Sequence, residues 1–468
     1  MTTLLFFDDL RLNRRDNIER RIGRPRLLAD AVYRDPAHET PWGYPTVFYN
    51  ADTRLWRMMY QGLSPPVKAE YCAALLAESE DGLHWRPRDT AGEIDMPGRF
   101  ASNQIIPSGE FNEFPTCYVD ELAPPEERIK GLVVFSCAKH RLATRLWVSA
   151  DGLHWKLKKG VEWQKPGADP ATAVFWNEVR GSYTFTSRPT CSDRRIAIYE
   201  TRDWQTFTKP ELVIHADALD TPLTEPYGMP VIPYEGVYIG LLWLFHCVPQ
   251  VKGSSPHKFL GGHVDCQLAY SLNGWHWQRT LREPFIPNGC PGEPDSGCVY
   301  PSTWAIREDG DIDLYASACT HEHGELPEGS GSILTYRLRR DGFVYLTSTS
   351  GPGVVGTRAL AWNAGEAELN VQCSGGFVRV QVTDSSGEVL PGYGFDNCLP
   401  FSGDSRSWIP SWKGNRLMSS LPARTLRLEV ELANARLYAI RGDFLPLTAG
   451  ECWRIEQLGE TPSPRPGF

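Results

Sequence analysis

Along most of this chain apolar and polar residues alternate in short runs, and glycine, asparagine, aspartate or proline interrupts each run. A period of two held over four to eight residues predicts half-buried strands rather than helices. One set of such runs falls at 71–78, 142–148, 195–200, 267–270 and 332–338. A second set falls at 44–49, 115–119, 172–176, 228–232 and 299–305. Each member of the first set is followed by a turn of common form. The copies are Ser79-Glu80-Asp81-Gly82-Leu83-His84-Trp85, Ser149-Ala150-Asp151-Gly152-Leu153-His154-Trp155 and Ser271-Leu272-Asn273-Gly274-Trp275-His276-Trp277. Thr201-Arg202-Asp203-Trp204-Gln205-Thr206-Phe207 is a degenerate copy, and Arg340-Asp341-Gly342-Phe343 is a remnant.

The Asp or Asn of successive copies is separated by 70, 52, 70 and 68 residues. That is too long for a two-helix repeat and fits a four-stranded sheet with its turns. Asp-Gly and Asn-Gly supply the positive φ of a tight hairpin, and the closing aromatic residue can fill the space between adjacent sheets. Five repeats of four strands predict an all-β fold, a five-bladed β-propeller over residues 1–346. The Ser/Thr/Gly stretch 347–356 reads as a linker. Alternating runs at 368–372, 376–382, 425–430 and 436–440 predict a C-terminal β-sandwich over 347–449. The proline-rich remainder, 450–468, reads as an extended or fraying tail.

Composition narrows the classes. The 468 residues include 42 Gly and 37 Pro, which suits a turn-rich fold, and 11% are aromatic, which suits both sheets and sugar-binding surfaces. A net charge of −9 speaks against a nucleic-acid partner. The longest apolar run, 237–245, is far short of the roughly 20 residues of a membrane span. The N-terminus has no basic region and meets Asp8 and Asp9 at once, so no signal peptide is read. The twelve cysteines form no CxxC pair, and Cys72, Cys137, Cys247 and Cys319 lie inside apolar or aromatic runs. Reduced core cysteines of a cytoplasmic protein are expected. No serine-hydrolase elbow, P-loop or dinucleotide fingerprint is present.

The repeat, the five blades and the trailing sandwich together resemble the five-bladed propeller glycosidases of glycoside hydrolase families 32 and 43. Within the sandwich, 376–387, Leu390-Pro391-Gly392-Tyr393 and Ala435-Arg436-Leu437-Tyr438-Ala439-Ile440 resemble family 32. The family 32 opening motif, Asn-Asp-Pro-Asn-Gly, is missing. The resemblance implies hydrolysis of an oligosaccharide or glycoside, a furanoside among the candidates, by carboxyl groups at the mouth of the propeller; no cofactor and no metal are expected. A carbohydrate-binding propeller without catalysis, or a lyase or transglycosylase on the same scaffold, is the alternative.

Such chemistry needs one protonated and one ionised carboxyl group across the scissile bond, so Asp and Glu near the first strand of each blade are the candidates. Asp169, in Ala168-Asp169-Pro170, resembles the family 32 Arg-Asp-Pro motif with Ala168 in place of Arg, which implies a transition-state stabiliser. Glu225, in Thr224-Glu225-Pro226-Tyr227, resembles the acid/base Glu of the family's Glu-Cys motif with Pro226 in place of Cys. Its apolar neighbours Leu223, Tyr227 and Met229 are expected to favour the protonated form. Blade 1 carries no carboxylate where the family's nucleophile or base stands. Glu39 is preferred for that role over Asp35, which Arg34 can pair at the surface; Asp295 and Glu113 are the remaining choices. Trp42 is a candidate sugar-stacking platform. Asp35, Glu113, Tyr227, Asp295 and His321 are candidate substrate ligands. Cys319, His321 and His323 alternate along one predicted strand, but at no standard zinc spacing. His84, His154 and His276 belong to the repeat and read as structural.

Overall fold

The computed structural model describes residues 1–35, 43–63, 72–99, 101–106, 113–137, 141–164, 173–188, 194–248, 261–323 and 329–464. The chain is all-β and divides into two compact units, one of Pro25–Arg337 and one of Met1–Arg24 together with Leu338–Phe468.

The first unit is the five-bladed propeller. Blade 1 runs Thr46–Asn50, Leu55–Leu63, Cys72–Ser79 and Arg86–Pro87, with Gln104–Ile106 added against its third strand. Blade 2 runs Glu113–Val119, Ile129–Cys137, Arg141–Ser149 and Lys156–Gln164; blade 3 runs Ala173–Asn177, Ser182–Ser187, Ile196–Thr201 and Glu211–Ile214. In blade 4 the innermost position is split between Thr224–Gly228 and Val231–Tyr234. Both pair with Val237–Val248, which continues to Gly261–Ser271 and Gln278–Arg279. The sequence pattern starts this strand at residue 228, because Pro226 and Pro230 hide the earlier segment. Glu225 therefore lies within a strand rather than ahead of one. Blade 5 runs Cys298–Ile306, Ile312–Cys319 and Gly331–Leu338, and its fourth strand is Arg26–Tyr33, from before blade 1. That borrowed strand closes the ring non-covalently.

The repeated turn explains itself locally. In the first copy Ser79 Oγ accepts the Gly82 N–H (3.0 Å), and Asp81 Oδ1 accepts the N–H groups of Leu83 (2.8 Å) and His84 (2.9 Å). His84 Nδ1 closes on Asp81 Oδ2 at 2.7 Å. Ser149, Asp151 and His154 repeat the arrangement. Gly82, Gly152 and Gly274 take φ of 75°, 77° and 68°, the left-handed region where a Cβ is costly. In the degenerate third copy Trp204 holds that position at φ 60° and is buried.

The first four turns also dock on the preceding blade. Tyr315 Oη of blade 5 donates to Gly82 O (2.9 Å), Arg57 of blade 1 donates to Asp151 O, and Asn177 Nδ2 of blade 3 donates to Asn273 O (3.0 Å). Trp204 packs into a core shared with Leu132 and Val148 of blade 2. The closing aromatic residues do what the pattern predicts: Trp85, Trp155, Phe207 and Trp277 each lie against an apolar core that spans two blades. Burying a side chain of this size contributes about 1.5–3 kcal/mol.

The second unit is an antiparallel β unit of eight strands: Thr2–Leu5, Leu12–Asp16, Ile18–Ile22, Val344–Ser348, Gly353–Thr357, Leu360–Thr383, Phe401–Trp408 and Arg424–Pro446. Trp362, Trp412, Leu369 and Leu428 are among its fully buried residues. These strands form one connected sheet in the region where a sandwich was expected. Residues 1–24 belong to it rather than to the propeller, and the stretch read as a linker supplies two paired strands. The tail is not extended throughout: Ala449–Leu458 is a helix with a Thr448/Glu451 capping box and Gly459 as its left-handed cap. Among the described residues, no helix is long and apolar enough to cross a membrane.

Candidate functional site

The repeated turn of blade 4 begins at Ser271, which pairs with Tyr238, whereas Glu225 pairs with Phe245 and Phe245 with Val264. Glu225 thus lies at the opposite end of the blade from the turn. There the innermost strands bring together residues far apart in sequence. Tyr227 of blade 4, Tyr300 of blade 5 and Tyr44, which leads into blade 1, are all buried and meet around Trp243. Tyr44 stacks on Trp243 at 5.5 Å, and Tyr300 stands edge-on to both, at 5.9 Å from Tyr44 and 5.4 Å from Trp243. Offset and edge-on aromatic pairs of this kind add about 0.5–1.5 kcal/mol each beyond their buried area. They form a rigid floor where three blades converge.

Glu225 stands on this floor with its side chain 14% exposed. Arg194, from the segment between the second and third strands of blade 3, reaches across and pairs with it, Nη1 to Oε2 at 2.5 Å. The same guanidinium lies over the rings of Tyr227 and Phe245, 5.1 Å from each centroid, and Arg188 lies 4.8 Å above Tyr227. The apolar surroundings expected for Glu225 are therefore only half present. Tyr227 and Phe245 are there, but a cation sits between them and the carboxylate, and Leu223 is 42% exposed. Met229 turns instead into the core between blades 3 and 4. Burial, and after it the Glu225 charge, pushes the neighbouring Cys247 thiol up to about 12, so it stands beside the carboxylate as a neutral group.

The other predicted residues fall in different places. Tyr227 is 4% exposed, and its hydroxyl meets His323 Nε2 at 3.1 Å, so it supports the site from below. Asp35 is not a surface group. It is 4% exposed and accepts hydrogen bonds from Tyr60 Oη and from Asn103 Nδ2, the latter at 3.1 Å. Asp295 is likewise buried; Oδ2 accepts from Tyr336 Oη at 2.5 Å, and Oδ1 is buried with no hydrogen-bond partner among the described residues. His321 Nδ1 meets Thr320 Oγ1 at 2.8 Å. The strand ends at Cys319, so Cys319, His321 and His323 do not share a strand face: Cys319 Sγ bonds to the His321 carbonyl and His323 turns to Tyr227. Glu113 opens the first strand of blade 2. Glu39, Trp42 and Asp169 lie outside the described residues.

His323 stood out in the sequence only for its alternation with Cys319 and His321, and Arg194, Arg188, Tyr60 and Asn103 were not legible as site residues. None belongs to a motif. Arg188, Arg194 and Asn103 lie between strands, and Tyr60 lies within the second strand of blade 1.

No family model matches the chain, and no curated protein matches it. Solved structures do. A protein described as a glycoside hydrolase is 16% identical, with a TM-score of 0.44 over 68% of this chain and 92% of its own. A thermostable family-43 glycoside hydrolase is 14% identical, with a TM-score of 0.42 over 67% of this chain and 95% of its own. A family 32 beta-fructofuranosidase of Bombyx mori is 12% identical, with a TM-score of 0.43 over 88% of this chain and 94% of its own. Both families that the sequence resembles are thus represented among these structures.

Proposed function

We propose that the chain is a glycoside hydrolase acting on an oligosaccharide or glycoside, with a furanoside as the preferred substrate class, and that it works in the cytoplasm. The observation that carries this reading is the group around Glu225. A partly exposed carboxylate stands on an innermost strand of a five-bladed ring, over an aromatic floor, within reach of two guanidinium groups. Aromatic faces pack against sugar CH groups, guanidinium forks bind vicinal hydroxyls, and a carboxyl group moves the proton.

In this reading Glu225 is the proton donor, Asp169 the stabiliser and Glu39 the nucleophile or base. Arg194 holds Glu225 as an ion pair before substrate arrives. Sugar hydroxyls then draw the guanidinium away, leaving the Glu225 carboxyl free to meet the glycosidic oxygen.

The test is a panel of fructans, arabinans and aryl glycosides, read for reducing ends, with the wild type and Glu225→Gln. Turnover on a natural glycoside should fall about 10²–10⁴-fold in the variant. Aryl glycosides with good leaving groups, which need little protonation, should suffer less. Equal activity of the two proteins removes Glu225 from the mechanism. Binding of sugars without any release of reducing ends identifies a binding propeller, and an ultraviolet-absorbing unsaturated product identifies a lyase.

A further inference from the structure

A second cluster lies on blade 4. His246, on the second strand, pairs directly with His263 on the third, and Asp265 is two residues further along that strand. One ligand atom from each of the three lies within 4.8 Å of the others. The two imidazole rings stack at 4.5 Å and 18°, and His246 Nε2 is 3.0 Å from Asp265 Oδ2. Directly paired residues share a face of a sheet, and successive residues alternate between faces. Because Glu225 pairs with Phe245 and His246 with Thr224, this cluster is on the opposite face of blade 4 from Glu225.

From these residues we propose a binding site for a divalent transition-metal ion of the zinc type, held by His246, His263 and Asp265. Two features support it beyond the juxtaposition. Asp265 is 6% exposed, and its Oδ1 is buried with no hydrogen-bond partner among the described residues. Such an atom is costly to bury unless something neutralises it, and a bound cation does. The backbone is also shaped to bring the ligands together. Gly262 takes φ 119°, and a Cβ there would lie 2.1 Å from the His246 carbonyl oxygen, so only glycine lets the third strand approach so closely. Its N–H is fixed by Glu322 Oε2 at 2.8 Å and its carbonyl accepts the His323 N–H at 2.8 Å, which anchors the pairing that sets His263 opposite His246.

The donor set chooses the metal. Imidazole nitrogen with one carboxylate suits zinc and its transition-metal neighbours, whereas calcium and magnesium take oxygen ligands. Zinc needs bonds of about 2.0–2.2 Å, so the ligands must draw in slightly. His263 is the exposed member and has room to turn. Three protein ligands leave a position open for water or a sugar oxygen. The proposal does not depend on the chain being a glycosidase.

The experiment uses the full chain stripped with a chelator and titrated by calorimetry with zinc, calcium and magnesium, with a parallel thermal melt. One equivalent of zinc should bind and raise the melting temperature, while calcium and magnesium should not. His263→Gln should weaken zinc at least about tenfold while leaving the metal-free melt unchanged, because that side chain is exposed; Asp265→Asn should abolish binding. Cys290→Ser removes an exposed thiol and should leave binding intact. No zinc binding by the wild type overturns the proposal. So does binding that survives in His263→Gln at full affinity, or binding lost in Cys290→Ser.

Discussion

The two ends of a blade are built on different principles. At one end, Ser, Asp, Gly and His within a seven-residue stretch satisfy one another's hydrogen-bonding groups, and the same network recurs from blade to blade. At the other end of blade 4, the contacts join Arg194 to Glu225, Tyr227 to His323 and Tyr44 to Trp243. Among the described residues, no other blade repeats them. The first end holds the ring together through local chemistry. The second is assembled from separate blades, so its residues are free to differ, and that is where a site can be made.

The comparison can be tested from both sides. The largest expected effect is the loss of turnover in Glu225→Gln, which should leave the thermal melt unchanged; a matching fall in melting temperature would mean that this end, too, is structural. Next comes Gly152→Ala. It combines a φ of 77° with a Cβ placed 2.6 Å from the Phe48 ring of blade 1. Left-handed strain and overpacking together should cost about 2–4 kcal/mol in urea unfolding. Gly160→Ala has a φ of 82° but open space around it, and should cost about 1–2 kcal/mol. Equal losses in the two variants would show that docking on the neighbouring blade contributes nothing.

Arg194→Gln probes the other end. The Arg194 guanidinium is the charged partner of Glu225, and losing a hydrogen bond between charged groups should lower kcat/KM by about tenfold or more. Unchanged kinetics would separate Arg194 from the chemistry.

The smallest effect concerns acid stability. The N–H groups of Thr206 and Gln205 hold the Asp203 carboxyl down to about 2, against 3.8 for an unperturbed group. A carboxyl whose folded value is depressed adds stability above its unfolded value, and that stability is lost as pH falls through the folded value. The contribution should therefore be complete above about pH 4 and fade towards about pH 2. Asn273 of blade 4 makes the equivalent two bonds without a charge. Asp203→Asn should keep the turn and flatten the fall of melting temperature in that window; an unaltered slope would show that the carboxylate charge is immaterial.

The blade number, the third strands and the repeated turns could be read directly from the chain. Their hydrogen bonds close within a few residues, so spacing and residue type are enough to specify them. The same is true of the structural histidines, because His84 and His154 touch the Asp three positions earlier. What the sequence could not decide was partnership across distance. Arg26–Tyr33 alternates like any strand, and only the closed ring makes it the fourth strand of blade 5. Residues 1–24 pair with strands more than 300 positions later. Asp35 looks like a surface group beside Arg34 until Tyr60 and Asn103 close over it. Arg194 on Glu225, and His246 with His263 and Asp265, come together only when blades and strands are in register. Local hydrogen bonding is written in neighbouring residues; the meeting of side chains from different strands depends on how the strands pack, which no short motif encodes.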